Sequence, residues 1–384
     1  MNPADFKTQS TGRVVSHPTG YFAFVPAPPP TEFPIDRDIV LALSRADAAL
    51  SELSGLGCQL PNPHLLIAPL VRREAVLSSR IEGTRASLSE VLLDEAGTPD
   101  PSQSTDPDVQ EVRNYVVALE HGIARLGELP LSLRLVRELH EKLMQGVRGK
   151  RATPGEFRRS QNWIGPAGST PITAPYVPPP VEELPEVLGA WEKFLHVRDT
   201  LPDLIQCAIM HEHFEAIHPF LDGNGRVGRL LITLFLIERG RLSQPLLYLS
   251  DFIERHRSDY YDLLQRIRTH GDYAAWLRYF LTGVEETARD ANARARKLLA
   301  LREQYLHAIK SPNAAALADA LLGNPYLTIA SAARALDVSQ PTATKAIKQL
   351  EASGHLKQIT PGNWGKTYLA PAILEAVDLS ADTR

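Results

Sequence analysis

Two stretches of helical apolar periodicity flank a twelve-residue string, HPFLDGNGRVGR at 218–229, and that string constrains the chain more than any other part of it. Upstream, over 201–218, Leu204, Ile205, Ala208 and Ile209 fall on one helical stripe; downstream, from about residue 226, Leu230, Leu231, Leu234 and Phe235 do the same. Both segments read as helices, so the chain must reverse between them within a few residues. Gly223 and Gly225 supply backbone conformations closed to other residues. The N–H groups of such a turn, opening a helix N-terminus, form an anion cradle. Arg226 and Arg229, three apart, share a helix face and carry fork-shaped donors suited to phosphate oxygens. Asp222 is a hard oxygen ligand for a Mg²⁺ bound to the same phosphates, and His218 is a general base beside them. Cradle, metal ligand and base together point to a nucleotide-using transferase.

Two other chemistries share some of these residues. Gly223, Gly225 and Gly228 satisfy the GxGxxG dinucleotide fingerprint, but a helix rather than a strand precedes it. His211, His213 and His218 suggest zinc, yet HEH spacing sends His211 and His213 to different helix faces and HExxH is absent. The rest of the chain is mostly helical in period, as at Ile39, Leu43, Ala46, Leu50 and Leu53, or Leu133, Val136, Leu139 and Leu143. Residues 1–36, with PAPPPTEFP, read as an extended arm, 97–108 as a polar loop, and 176–185 as a break before a helix. The net charge of −4 excludes a whole-chain positive field, so any nucleic-acid role is confined to a local patch. Cys58 and Cys207, the only cysteines, form neither a metal knuckle nor a CxxC pair. No apolar run is long enough for a membrane span, and the first residues lack a signal-peptide layout; a cytoplasmic protein is expected.

The string resembles the Fic family signature HxFx(D/E)GNGRxxR, and every specified position matches. That resemblance implies a helical enzyme transferring AMP from ATP to a Ser, Thr or Tyr hydroxyl of a target protein or of itself. It makes His218 the catalytic base, Asp222 the ligand of Mg²⁺ (or Mn²⁺) and Phe220 a core anchor. The run Gly223, Asn224, Gly225, Arg226, Val227, Gly228 and Arg229 becomes the phosphate-binding stretch. Within it, Asn224 and Gly225 form the nest, Arg226 binds the phosphate chain and Arg229 grips the γ-phosphate. Gly225 stands where the Doc-like kinase branch carries Lys, which favours nucleotidyl transfer. Residues 154–180 look like the family's flap, a short β-hairpin that holds the target segment by strand addition. Phe157, Trp163 and Ile164 are expected in the local core, and Thr173 and Tyr176 in contact with target or nucleotide. Tyr260 and Tyr261 resemble the border of the adenine pocket, with Tyr261 the nucleotide contact.

Ser78 and Glu82, within EAVLSSRIEGT, fit the family's (S/T)xxxE(G/N) inhibitory motif; four apart, they share a helix face. In the family this glutamate pairs with the second arginine of the signature, here Arg229, so the resemblance implies an N-terminal brake on transfer. The same glutamate could position a water that removes AMP. Near the C-terminus, helical patterns at 314–322, 328–336 and 339–353 precede LKQI, the turn TPGNWG and KTYL. That order resembles a winged helix-turn-helix reading as a separate unit, with Thr342, Thr344, Lys345 and Lys348 along a recognition helix and Lys357 and Lys366 on the wing.

The expected fold is thus mainly α, with a helical Fic core (111–295), a short β-hairpin flap, an N-terminal helical region (1–110) and a C-terminal winged-helix domain (306–384). ATP and a hydroxyl-bearing protein are the expected partners, with DNA at the tail, a homodimer and no membrane. The alternatives are a nucleotide-sensing DNA-binding regulator, or a Fic enzyme that uses another nucleotide or removes AMP.

Overall fold

In chain order the elements are β1 (Gly12–Ser16), β2 (Phe22–Pro26), α1 (Arg37–Gln59), α2 (Pro63–Ile81), α3 (Leu88–Gly97), α4 (Pro107–Leu126), α5 (Leu133–Leu143), α6 (Leu184–Leu195), α7 (Asp203–Ile217), α8 (Asn224–Glu238), α9 (Leu249–Arg255), α10 (Arg257–His270) and α11 (Tyr273–Ala308). They continue as α12 (Pro312–Gly323), β3 (Tyr326–Thr328), α13 (Ile329–Leu336), α14 (Gln340–Ala352), β4 (Lys357–Gln358), β5 (Thr367–Leu369) and α15 (Pro371–Asp378). This computed structural model describes residues 1–59, 63–97, 106–146, 153–309, 311–361 and 365–378. Most of the loop expected at 97–108, and residues 362–364 of the TPGNWG turn, lie outside the described residues. The chain divides into two compact units, one of residues 1–51, 117–242 and 249–286, the other of 52–116, 243–248 and 287–384.

The first unit is built around α7 and α8. From Leu204 to Ile217 every residue of α7 is buried, not only the expected stripe, so its polar side chains need internal partners. Gln206 Nε2 donates to Phe194 O at 2.7 Å, and His213 Nε2 to Ala27 O at 2.9 Å. His211 is bonded through Nδ1 to Gly228 O and through Nε2 to the Tyr260 hydroxyl. Helices α7 and α8 approach closely at Gly228, where a Cβ would lie 2.5 Å from Glu215 Oε1.

The expected extended arm is instead a hairpin over part of its length. β1 and β2 pair antiparallel with Val14 opposite Phe24, around a turn in which Gly20 adopts φ +89°. Phe24 is 1% exposed, stacks on Phe6 and lies against Tyr176, while its N–H donates to Val177 O at 2.9 Å. The apolar alternation around the turn outweighs the proline-rich composition, because it gives the arm a face to bury. Phe24→Ala is expected to cost about 3–5 kcal/mol of stability, read as a lower urea midpoint. An unchanged midpoint would show that the hairpin is not part of the cooperative fold.

In the second unit the C-terminal elements pack against helices from the N-terminal half of the chain. α2 packs against α12 and α15, and α3 against β3. Ser89 Oγ meets the Tyr326 hydroxyl at 2.5 Å, and Asn324 Nδ2 donates to Leu92 O at 2.8 Å. β3 lies between α12 and α13, and with β4 and β5, which follow α14, it forms an antiparallel sheet of order β3-β5-β4, with Leu369 paired to both Tyr326 and Lys357. Thr328 caps α13 through a reciprocal bond with Ser331.

Candidate active site

α7 ends at Ile217, and His218 turns the chain in the left-handed region at φ 49°, ψ 60°. A residue with a β-carbon rarely adopts this conformation, and the following Pro219 disfavours helical backbone at the position before it. Such backbone costs about 1–3 kcal/mol and persists where its surroundings over-determine it. They do so here. The His218 N–H donates to Phe214 O, and its carbonyl accepts from Arg158 Nε and Asn162 Nδ2, both at 3.1 Å. Arg158 N–H donates to Pro219 O at 2.9 Å, and Asn162 Nδ2 also reaches Phe220 O at 2.7 Å. Asn224 then clamps both the N–H and the carbonyl of Phe220 at 2.8 Å. The His218 imidazole is 18% exposed, with Nδ1 4.0 Å from Glu215 Oε2.

α8 starts at Asn224, with Gly223 capping it at φ +78°, where a Cβ would lie 2.9 Å from Met144 Sδ. The first N–H groups of such a helix have no intrahelical acceptor and point toward an anion. Arg226 and Arg229, each 3% exposed, lie in this first turn and a half. Val227 and Gly228 depart from the expected phosphate contacts. The Val227 side chain is fully buried and its N–H is spent on Gly223 O, while Gly228 serves the close approach of α7. The Asn224 amide is likewise engaged with Phe220, so only its backbone is offered to an anion.

The Asp222 side chain is 57% exposed, with Oδ1 accepting from Gly223 N–H and lying 3.9 Å from Arg226 Nη2. Among the described residues no group of three ligating side chains gathers. A single open carboxylate fits Mg²⁺ or Mn²⁺, ions that take one or two protein carboxylates and complete their shell with phosphate oxygens and water. It does not fit zinc, because His211 and His213 each bond backbone carbonyls or neighbours within the core.

The turn rests on His140, which the sequence does not mark as functional. Its Nδ1 accepts from Gly155 N–H, so Nε2 carries the proton and donates to Asp222 O at 3.1 Å. Its ring stacks on Phe220 with centroids 3.7 Å apart. Burial lowers the pKa of His140 to about 4 and that of His211 to about 3. Both rings are neutral when folded and take up protons below pH 6.5 when unfolded, so stability present above pH 6.5 is lost as pH falls toward 4. The expected slope is roughly 1.4 kcal/mol per pH unit for each ring. His140→Gln should remove one ring's share, measured as urea midpoints from pH 7 to 4.5. A flat wild-type profile would contradict this burial.

Over the flap the expected roles of the aromatic residues are exchanged. Tyr176 is 3% exposed and donates its hydroxyl to Ala216 O at 2.7 Å, with the Arg268 guanidinium 3.9 Å from its ring centre, so its side chain is core. Trp163, expected in the core, is 40% exposed, and Ile172 is 64% exposed. The flap closes with an antiparallel bridge between Ile164 and Tyr176, and adjacent positions on a flap alternate faces. Thr173 is exposed, its Oγ1 accepting from Thr170 N–H at 2.9 Å. On α10 Tyr261 is 42% exposed beneath the Arg257 guanidinium, whereas Tyr260 is buried. In the second unit Ser78 is buried on α2, and Glu82 follows the last helical residue in a turn completed by Gly83 at φ +102°.

The chain is matched by a model described as Fic/DOC family N-terminal over residues 40–124 and by one described as Fic/DOC family over 130–236, together half of its 384 residues. It is similar to a protein of Aquifex aeolicus named "Probable protein adenylyltransferase", 29% identical over 174 residues, 45% of this chain and 50% of that one. It is also similar to "Protein adenylyltransferase Fic" of Aedes aegypti, 30% identical over 160 residues, 41% of this chain and 28% of that one. The chain therefore spans half or less of the length of these relatives. The fold matches the crystal structure of a Fic family protein from Desulfovibrio desulfuricans G20 with a TM-score of 0.59 at 22% identity, covering 90% of this chain and 98% of that one. Family models over both the N-terminal helices and the helix–turn–helix carrying His218 to Arg229, with a matching fold, place this chain in the Fic/DOC family.

Proposed function

We propose that this protein is an adenylyltransferase that moves AMP from ATP to a hydroxyl of a target protein, and of itself. The observation that carries the reading is the over-determined turn joining a strained His218 to the N-terminus of α8. His218 takes the proton of the target hydroxyl. The hydroxyl oxygen bonds to the α-phosphorus as the bond to the β-phosphate oxygen breaks, and pyrophosphate leaves. The backbone of Asn224 and Gly225 receives the phosphates, and Arg226 and Arg229 hold the negative charge of the chain. Asp222 would hold Mg²⁺ or Mn²⁺, which supplies charge neutralisation at the phosphates when bound. Thr173 and the exposed flap residues receive the target, Tyr261 borders the nucleotide base, and Glu82, supported by Ser78, restrains transfer.

Intact-mass spectrometry of the protein after incubation with ATP and Mg²⁺ tests the reading. A gain of one or more adenylyl groups is expected, larger in Glu82→Gly. No gain in either, with ATP shown to bind, would reject it.

A second role at the tail is favoured by α14, where Lys345, Lys348 and Gln349 are exposed on a helix that packs against α12 and α13. A winged helix-turn-helix presenting these lysines would bind DNA through its phosphates, with affinity falling as salt rises.

A further inference from the structure

Arg158 and Asn162 lie in the irregular segment before the Ile164–Tyr176 bridge of the flap, about sixty residues from the turn they hold. Arg158 is 2% exposed, and burial lowers its pKa to about 10, so it stays a cation at neutral pH. Its guanidinium donates to main-chain oxygens: Nε to His218 O at 3.1 Å and Nη2 to Pro179 O at 2.5 Å. Pro179 lies at the far end of the flap, three residues beyond Tyr176. One buried guanidinium therefore ties the carbonyl of the base to that end of the flap. Asn162 precedes Trp163 and Ile164 at the other side of the flap, and its amide joins the carbonyls of His218 and Phe220. Both ends of the flap are thus hooked to the backbone of the base. Gln161 continues the pattern, donating to Pro178 O at 3.0 Å and accepting from the Tyr21 hydroxyl of the N-terminal hairpin at 3.2 Å.

We propose that Arg158 and Asn162 are positioning residues for the transfer reaction: they hold His218 in its left-handed conformation and so set the aim of its imidazole relative to the flap that receives the target. The inference rests on the adenylyltransferase reading for its kinetic consequence and on the carbonyl hydrogen bonds for its physical content. Removing one hook releases a strained residue toward ordinary backbone and displaces the imidazole, while the N-terminus of α8, held by Asn224 and His140, still receives the nucleotide. A misplacement of about 1 Å at a reacting group costs on the order of 100-fold in rate.

The experiment uses the full chain with Glu82→Gly as background, adding Asn162→Ala, Arg158→Ala or Arg158→Lys. Self-modification kinetics give kcat and the KM for ATP, and the ¹⁵N imidazole resonances of His218 are recorded in the same proteins. Asn162→Ala and Arg158→Ala should lower kcat roughly 10- to 100-fold with KM for ATP changed less than twofold, and Arg158→Lys should recover part of the loss. In both alanine variants the His218 resonances should shift or broaden while those of His211 stay in place. Unchanged kcat and unchanged His218 resonances in folded Asn162→Ala would overturn the inference. Absence of transfer in the Glu82→Gly background itself would reject the adenylyltransferase reading instead, and the resonances alone would then decide whether these two residues position His218.

Discussion

His218→Ala is expected to lower AMP transfer by about 10²–10⁴-fold, the contribution of a positioned general base. The loss should fall on kcat. The groups that receive the phosphates belong to α8, whose first turn is clamped by Asn224 on Phe220 and by His140 on Asp222, and none of these bonds uses the His218 ring. The bonds that shape the turn at residue 218 are made by its main chain, which alanine retains. ATP affinity and the urea midpoint should therefore stay close to those of the parent. Steady-state transfer, nucleotide binding and denaturation of the same preparation check this. Transfer persisting in His218→Ala would remove the base from the mechanism.

Glu82→Gly should act in the opposite direction, raising transfer by roughly 10- to 100-fold, the equivalent of one charge-assisted hydrogen bond of about 1.5–3 kcal/mol. Glu82 stands one residue past the end of α2 and before Gly83, which already holds the left-handed position of the turn. The substitution therefore spares the helix. As the proposed brake, Glu82 would compete with phosphate, so ATP affinity should rise with the rate. Equal rates and affinities in Glu82→Gly and the parent would take the brake out of the account.

The helices around the site were legible because their apolar periods are long and their punctuation strong. α7 and α8 lie where the pattern places them, and the glycine-rich string between them is the turn. The full burial of α7 was not legible, since Gln206, His211, Glu212, His213 and Glu215 look like a polar face until their internal partners are seen. The N-terminal hairpin was hidden by the prolines that follow it, although Val14, Val15 and Phe24 lie on either side of a His-Pro-Thr-Gly turn. Trp163 and Tyr176 were exchanged because a flap with a single bridge gives no repeat long enough to fix which face is inward. His140, Arg158 and Asn162 could not be found by pattern. Each acts on main-chain atoms 56 to 82 residues away, and only the folded chain brings them together.

Transfer of the α-phosphate is the central claim, and its most direct test compares two labels. Purified Glu82→Gly protein is incubated with Mg²⁺ and ATP labelled at the α- or the γ-phosphate, and protein-bound label is read on a denaturing gel, with the Glu82→Gly/His218→Ala double variant as control. The account predicts label from the α position only, and none in the double variant. Label from the γ position, or α-label undiminished without His218, would contradict it.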